Sequence, residues 1–138
     1  MDEKFLNEAL KEARKAYKKD EIPVGCVIVY DGNIVARGHN LRESKQNSLM
    51  HAEIMAVDRA CKYFNSWRLD DCVMYVTLEP CMMCLGAIIE SRIKKVVYGA
   101  KNNSEQMYVC VKNIDLIHAN SKECSDILTD FFKNKRKK

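Results

Sequence analysis

Two short motifs that lie far apart in the chain carry complementary metal-binding side chains, and this limits the folds open to the sequence. His51-Ala52-Glu53 supplies an imidazole and a carboxylate, and Pro80-Cys81-Met82-Met83-Cys84 supplies two thiols. One nitrogen and two sulfurs leave the fourth position of a tetrahedral zinc ion open, which is typical of a catalytic site and not of a structural one. We therefore expect His51, Cys81 and Cys84 to bind one Zn²⁺ ion, in a fold that brings both motifs together.

The spacing within both motifs predicts that each begins a helix. Cys81 and Cys84 stand at positions i and i+3, which share one face of a helical turn. Pro80 suits a helix start because proline lacks the N–H group that would stay unbonded there, and the positive end of the helix dipole favours thiolate. After His51, apolar residues recur at helical intervals, namely Ile54, Met55, Val57 and Cys61. Two helix N-termini are thus predicted to meet at one ion.

Glu53 follows the histidine ligand by two residues and is predicted to take and return the proton of a water that zinc activates. Each part alone has a simpler explanation. A C-x-x-C pair also occurs as a redox pair or as two buried thiols. A histidine at a helix start is often a cap or a surface residue, and an acid in the first turn complements the helix dipole. The conjunction of all four side chains favours catalytic zinc.

The length of 138 residues predicts one domain, residues 1–138, whose core needs no cross-links. No segment has the apolar length of a membrane span, and Met1-Asp2-Glu3-Lys4 does not resemble a secretion signal. Seven cysteines are an odd number, so reduced thiols in a cytoplasmic protein are expected. Five of these cysteines have apolar neighbours and are predicted to fill the core: Cys26, Cys61, Cys72, Cys110 and Cys124.

The net charge of +4 is concentrated near the C-terminus, where residues 133–138 form a basic tail with five cationic side chains. This tail directly follows Phe131-Phe132. It is either a frayed, solubilising end or an arm that contacts the phosphates of a nucleic acid. Charge alone does not decide between the two.

Hydrophobic periodicity predicts nine elements in the order α-β-β-α-β-α-β-β-α. They are residues 3–19, Val24–Tyr30, Ile34–Arg37 after an Asp31-Gly32-Asn33 turn, His51 to about Phe64, Val73–Thr77, Cys81 to about Ser91, Val96–Gly99, Ile114–Ile117 and Ser121–Lys133. Residues 39–50 are predicted to be irregular, and Met107–Val111 is either a strand or part of a crossover. This order predicts a mixed sheet with helices on both faces, and metal ligands just after strand ends suit such a sheet.

Several segments resemble motifs of the cytidine deaminase superfamily, and specifically of bacterial tRNA-specific adenosine deaminases. They are Ile22-Pro23-Val24-Gly25, His39-Asn40, His51–Ala56, Tyr75–Cys84, Ser91-Arg92-Ile93 and Asp130-Phe131-Phe132. The H-x-E…P-C-x-x-C arrangement is shared by the zinc-dependent nucleobase deaminases. The long Leu78–Cys84 block and the Phe-Phe-basic ending resemble the tRNA branch more narrowly.

The resemblance implies a cytidine deaminase-like fold of the α/β class, with three α/β/α layers and a mixed five-stranded sheet. It implies a hydrolase that acts on an amidine C–N bond and converts adenosine to inosine at the wobble position of a tRNA anticodon loop. It also implies one Zn²⁺ per subunit and a homodimer.

The resemblance further assigns zinc to His51, Cys81 and Cys84, and proton transfer to Glu53. Asn40 and the backbone of Ala52 would hydrogen-bond the purine, and Ile22 and Val24 would form apolar walls beside it. Further substrate contacts are implied for Asn102, Phe131, Phe132 and Lys133. Without the resemblance, Asn40 would be interpreted as a turn residue.

Two features separate this chain from the family pattern. Asn102 stands where the family commonly has Asp, and the segment between Gly99 and the terminal helix is short and lacks the usual Gly-Ser stretch. Two alternatives therefore stay open. One is a free nucleobase or nucleoside deaminase acting on cytosine, cytidine or guanine. The other is a non-catalytic zinc module with a fourth protein ligand, for which the candidates are Cys26, Cys72, His39 and His118.

Overall fold

The computed structural model describes residues 3–102 and 114–136 of the chain. Met107–Val111 and Cys110, on which two predictions fall, lie outside these residues. The helices are α1 (Glu3–Lys18), α2 (Arg42–Lys45), α3 (Ala52–Phe64), α4 (Met82–Glu90) and α5 (Lys122–Arg136). The strands are β1 (Gly25–Tyr30), β2 (Asn33–His39), β3 (Cys72–Leu78), β4 (Lys95–Ala100) and β5 (Asp115–His118).

The strands form one mixed sheet with the order β2-β1-β3-β4-β5. Strand β1 is antiparallel to both β2 and β3, whereas β3 and β4, and β4 and β5, run parallel. The parallel pairs place the ends of β3 and β4 at the same edge of the sheet, so the segments that follow these strands leave from that edge. The mixed sheet predicted from the sequence is confirmed.

Helices cover both faces of the sheet because alternate residues of β1 point in opposite directions. Cys26 and Ile28 pack with the α3 residues Ala52, Ala56 and Ala60, and Ile88 of α4 joins the same cluster. Val27 and Val29 pack on the other side with Ala9 and Phe5 of α1. Helix α5 lies on the α1 side, where Cys124 packs with Leu6 and Leu10. The result is the three-layer α/β/α arrangement expected from the sequence.

Gly38 in β2 determines how closely α3 approaches the sheet. A Cβ atom at this position would lie 2.4 Å from the carbonyl oxygen of Ala52 and 3.0 Å from the amide nitrogen of Ala56. Only glycine therefore lets the first turns of α3 rest directly on the β2 backbone. This contact places the start of α3, with His51 before it, beside the end of β2.

The structure corrects three details of the sequence prediction. The segment expected to be irregular, residues 39–50, contains the short helix α2. Helix α5 continues to Arg136, so residues 133–136 of the expected tail are helical. Pro80 precedes the N-cap residue Cys81 and does not lie in the first turn of α4. The first two differences arise from contacts with distant residues, which periodicity does not report.

Within residues 3–102 and 114–136, no helix combines the length and the apolar character needed to cross a lipid bilayer.

Candidate metal centre and active site

Two helix N-termini converge on the predicted metal ligands. His51 is the N-cap residue of α3 and Cys81 is the N-cap residue of α4. The Nδ1 atom of His51 lies 3.6 Å from Sγ of Cys81 and 3.5 Å from Sγ of Cys84. The three ligand atoms all lie within 4.8 Å of one another. The structure thus brings together the three side chains that the sequence singles out as ligands.

The protonation of the two thiols suits a metal site. Hydrogen bonds from Cys84 and His51 lower the pKa of Cys81 to about 3. The pKa of Cys84 is raised because its thiol donates to Cys81 and because it is buried. The hydrogen bond between His51 and Cys81 likewise raises the pKa of His51. One nitrogen and two sulfurs that lie this close together and share hydrogen bonds are a donor set that fits Zn²⁺.

Glu53 lies in the first turn of α3, directly beside these ligands. Its side chain is buried, at 4% exposure, and it lines the same cavity as His51 and Cys81. Burial raises the pKa of its carboxyl to about 7, although the hydrogen bond from its own N–H and the nearby charge of His51 act in the opposite direction. A carboxyl group with such a pKa both accepts and donates protons near neutral pH.

The cavity in front of the ligands has a volume of about 130 Å³. It is lined by five residues that the resemblance assigns to the substrate: Ile22, Val24, Asn40, Ala52 and Asn102. It is also lined by three that the sequence analysis did not assign: Arg42, Leu78 and Glu79. Ile22, Val24 and Leu78 contribute apolar surface to the cavity, and Asn40, Arg42, Glu53, Glu79 and Asn102 contribute polar groups. A planar base with polar edges fits this distribution.

The side-chain amide of Asn40 is held in one orientation by its neighbours. Its Nδ2 donates to the carbonyl oxygen of Ile22 at 3.2 Å, and its Oδ1 accepts the backbone N–H of Arg42 at 3.1 Å. An amide has two N–H donors and two oxygen lone pairs, so each atom retains capacity for one further bond. Asn40 is therefore presented to the cavity with its donor and acceptor already oriented.

A second, larger groove of about 650 Å³ adjoins the cavity. Ile22 and Arg42 line both spaces, and the rest of the groove is formed by Lys19, Asp20, Glu43, Ser44, Phe131, Phe132 and Lys135. Phe131 is buried edge-on against Tyr17, whereas Phe132 is 42% exposed. Lys133 is exposed on α5 and is not among the groove residues.

Phe131, Phe132 and Lys133 do not line the cavity that His51 and Cys81 line. The groove residues Lys135 of α5 and Lys19, which directly follows α1, were not singled out because each adjoins other cations and the sequence gives no indication of which cation faces the groove. Arg42 was missed because it lies in a segment that was read as irregular. Glu79 belongs to the Leu78–Cys84 block and could have been found there; its carboxylate accepts the backbone N–H of Asn102.

The candidates for a fourth protein ligand lie elsewhere. The Nδ1 atom of His39 lies 3.1 Å from a carboxylate oxygen of Glu12, and its Nε2 lies 3.0 Å from Nζ of Lys19. The ring of His118 stacks on Tyr98. Cys26 and Cys72 are buried in the core. Among the described residues, the one group of three or more potential metal ligands is His51, Cys81 and Cys84.

Comparison with known proteins agrees with this geometry. The chain matches the MafB19-like deaminase family over residues 1–136. It is 43% identical to the tRNA-specific adenosine deaminase of Bacillus subtilis (strain 168) over 148 positions, which cover 99% of this chain and 92% of the relative. Because 148 positions exceed the 138 residues present, part of this alignment consists of gaps in this chain.

Two solved structures are also similar. One comes from a study of A-to-I editing by tRNA:A34 deaminases at the wobble position of transfer RNA. It is 35% identical, with a TM-score of 0.83, and the match covers 90% of this chain and 98% of that one. The other is the guanine deaminase from Bacillus subtilis, which is 42% identical with a TM-score of 0.68 over 72% of this chain and 64% of that one.

The first of these structures confirms the predicted deaminase fold, and the full-length relative confirms the resemblance read from the motifs. The chain therefore belongs to the MafB19-like deaminases and, among them, to the tRNA-specific adenosine deaminase family.

Proposed function

We propose that this protein hydrolytically deaminates adenosine to inosine at the wobble position of a tRNA anticodon loop. The observation that carries the proposal is that His51, Cys81 and Cys84 form one ligand group, and that His51, Cys81 and Glu53 line one cavity. The relative from Bacillus subtilis, similar over nearly its whole length, supports the choice of substrate.

In this proposal Nδ1 of His51 and the two sulfurs of Cys81 and Cys84 hold one Zn²⁺ ion. A zinc ion so bound would supply Lewis acidity and lower the pKa of the water used for hydrolysis. His51 and Cys81 are half-buried and line the cavity, whereas Cys84 is fully buried behind them.

Glu53 is the acid and base of the reaction. Its carboxylate takes a proton from the attacking water and delivers it to N1 of the adenine as oxygen adds to C6. It then takes the remaining proton from the oxygen now bonded to C6 and passes it to the amino group at C6, which leaves as ammonia, and inosine remains. Burial keeps bulk water from competing for these protons, and a positioned acid/base group contributes about 10²–10⁴-fold to such rates.

The cavity residues would recognise the base. Asn40 and the Ala52 backbone hydrogen-bond its polar edge, and Ile22 and Val24 contact its faces. Asn102 also lines the cavity and would contact the sugar or the phosphate that follows it. An anticodon loop is single-stranded, so its bases can enter such a cavity at little unstacking cost.

The groove would accept the nucleotides that flank the target base. Phe132 offers an exposed ring on which a base can stack, while Phe131 supports it from below. Arg42, Lys19 and Lys135 line the groove, and Lys133 lies further along α5, so their positive charges can contact the phosphates. These contacts explain why a polynucleotide and not a free base would be the substrate.

We also propose that the protein acts as a homodimer in the cytoplasm. Ile89 and Met82 lie seven residues apart on one face of α4 and are 39% and 51% exposed. Leu49, which is 52% exposed, precedes the first ligand. A partner subunit at this apolar surface would lie beside the metal centre. The proposed ligands must be reduced thiols, which suits a reducing compartment.

Light scattering after size exclusion tests the dimer. The wild type is expected to have twice the mass of one chain, and Ile89→Lys should shift it toward the monomer. A wild-type monomer at micromolar concentration would contradict the dimer without affecting the chemistry.

The similarity to a guanine deaminase supports a second candidate, a free-base deaminase. Purified zinc-loaded protein should be incubated with tRNA and, separately, with cytosine, cytidine, guanine and adenosine. Inosine in the tRNA and ammonia release are then measured. We expect inosine in the tRNA and at most slow turnover of the small substrates. Turnover of a free base without inosine in the tRNA would reverse the order of the two candidates.

A further inference from the structure

Glu21 is a buried carboxylate that the proposed chemistry does not use. Its side chain has 0% exposure. One of its oxygens accepts the backbone N–H of Glu43 at 3.0 Å, and the other accepts both the backbone N–H and the hydroxyl of Ser44 at 2.5 Å. Burial alone would raise the pKa of Glu21, but these hydrogen bonds outweigh it and lower the pKa. An ionised carboxylate is thus held against the backbone of α2.

Helix α2 depends on side chains from outside it. It has four residues, and a single helical turn is not stable by itself. Its N-cap residue, Leu41, makes no side-chain capping bond. The first N–H groups of the helix are accepted instead by Oδ1 of Asn40, at Arg42, and by the Glu21 carboxylate, at Glu43 and Ser44. Glu21 therefore supplies most of the cap that this turn needs.

The same turn carries Arg42 at the boundary between the cavity and the groove. Of the residues that the structure describes, Arg42 and Ile22 line both spaces. Ile22 directly follows Glu21 in the chain. Arg42 directly precedes Glu43, whose backbone N–H donates to the Glu21 carboxylate. The guanidinium of Arg42 is partly exposed, and within the described part of the chain it makes one side-chain bond, from Nε to Glu43 at 3.1 Å. Its place therefore depends on the backbone of α2 more than on its own contacts.

We propose that Glu21 is a positioning residue that holds Arg42, through α2, at the boundary between the cavity and the groove and so sets the affinity for the polynucleotide substrate. Glu21 itself touches no substrate, and this inference rests on the proposed function. The Arg42 cation lies where the backbone of a nucleotide chain would pass from the groove into the cavity. Its displacement weakens binding of that chain but leaves Glu53 and the metal ligands in place.

The test compares Glu21→Gln, Glu21→Ala, Arg42→Ala and the double variant Glu21→Ala/Arg42→Ala. We measure kcat and KM on a tRNA anticodon stem-loop, bound zinc by elemental analysis, and the melting temperature. Glu21→Gln keeps one acceptor oxygen, so its effect should be smaller than that of Glu21→Ala. We expect KM to rise roughly ten-fold in Glu21→Ala, with kcat and zinc content nearly unchanged. Glu8→Gln, which changes a carboxylate of α1 away from both spaces, is the control and should leave KM unchanged.

The double variant separates positioning from a general loss of stability. If Glu21 acts through Arg42, the double variant has the KM of Arg42→Ala alone, because coupled residues are not additive. Additive rises in KM, a fall in kcat with unchanged KM, or an unchanged KM would each overturn the inference. If Glu21→Ala does not fold, Glu21→Gln and Ser44→Ala provide the same comparison. If the wild type does not deaminate the stem-loop, both the proposed function and this inference are wrong. If the wild type is active and the variants have its KM, only this inference is wrong.

Discussion

The Nδ1 atom of His51 lies 3.5 Å from Sγ of Cys84, although 33 residues separate the two in the chain. Each of these side chains belongs to the start of a different helix. The contact therefore exists only when α3 and α4 are both packed on the same face of the sheet, as they are through Ala52 and Ile88. Metal binding and the packing of this layer are consequently coupled.

Cys84→Ala should lose both metal and activity, because it removes one of the three ligand atoms. Elemental analysis and turnover of the tRNA stem-loop measure the two effects. Cys61→Ala is the matched control, since Cys61 lies on the same side of the sheet in α3 but not in the ligand group, and it should keep full zinc occupancy. Full zinc occupancy in Cys84→Ala would refute the ligand set.

Glu53→Ala should retain zinc and lose turnover. A positioned acid/base group contributes about 10²–10⁴-fold, so kcat is expected to fall by at least that factor. Glu53→Gln preserves the shape of the side chain but cannot transfer the proton, and it should be equally slow. Single-turnover rates with saturating enzyme separate this effect from binding. A variant that deaminates at a comparable rate would show that another group moves the proton.

Gly38→Ala should destabilise the protein and weaken metal binding together. The new methyl group would overlap the carbonyl oxygen of Ala52, only 2.4 Å away, and push the first turn of α3 off β2. Overpacking of this kind costs roughly 1–3 kcal/mol. Urea unfolding gives the change in stability, and competition with a chelator gives the change in zinc affinity. Wild-type stability and wild-type zinc affinity would mean that α3 can move away from β2 without displacing His51.

Lys133→Gln tests whether the cations of α5 contact RNA. Binding of the stem-loop is measured at several salt concentrations by fluorescence anisotropy. Loss of one phosphate contact should weaken binding and reduce the slope of log K against log salt by about one. Lys62→Gln, an exposed lysine of α3 paired with Asp58, should leave the slope unchanged. Equal slopes for both variants and the wild type would assign Lys133 to solvation only.

Glu8 should make stability depend on pH in the acid range. Hydrogen bonds from Lys11 and Arg37 hold the pKa of Glu8 at about 2, below its ordinary value of 4.5. A lowered pKa stabilises the fold fully above pH 4.5, and this contribution disappears as the pH falls toward 2. Glu8→Gln should therefore be less stable than the wild type by about 0.5–1 kcal/mol at pH 7, and nearly equal near pH 2. Urea unfolding of both proteins across this range measures the difference, and a constant difference would contradict the assignment.

The sequence was sufficient for most of the fold because the signals that it contains are local. The amphipathic spacing of α1 and the Asp31-Gly32-Asn33 turn each report the geometry of a few adjacent residues. The two helix starts at His51 and Cys81 were predicted for the same reason, and their convergence followed from the chemistry that one ion requires. Helix α2 was not predicted because Glu21, a residue distant in sequence, caps it.

The same difference between local signals and contacts of distant residues separates the predicted parts of the site from the missed ones. The ligands and Glu53 form a pattern of residue types with fixed spacing, so they can be read without a structure. Arg42 and Lys135 are ordinary surface cations in the sequence and acquire a role only through the groove that they line. The length of α5 likewise depends on Asn134 donating to Tyr17 of α1 and on Lys135 pairing with Asp20, which lies just after α1.

Helix α5 completes the groove with Phe132 and Lys135, whereas every proposed metal ligand precedes Leu85 in the chain. Protein synthesis proceeds from the N-terminus, so the three ligand positions are all translated before α5. The helix that completes the groove is therefore the last of the described elements to be added to a chain that already contains the side chains of the metal centre.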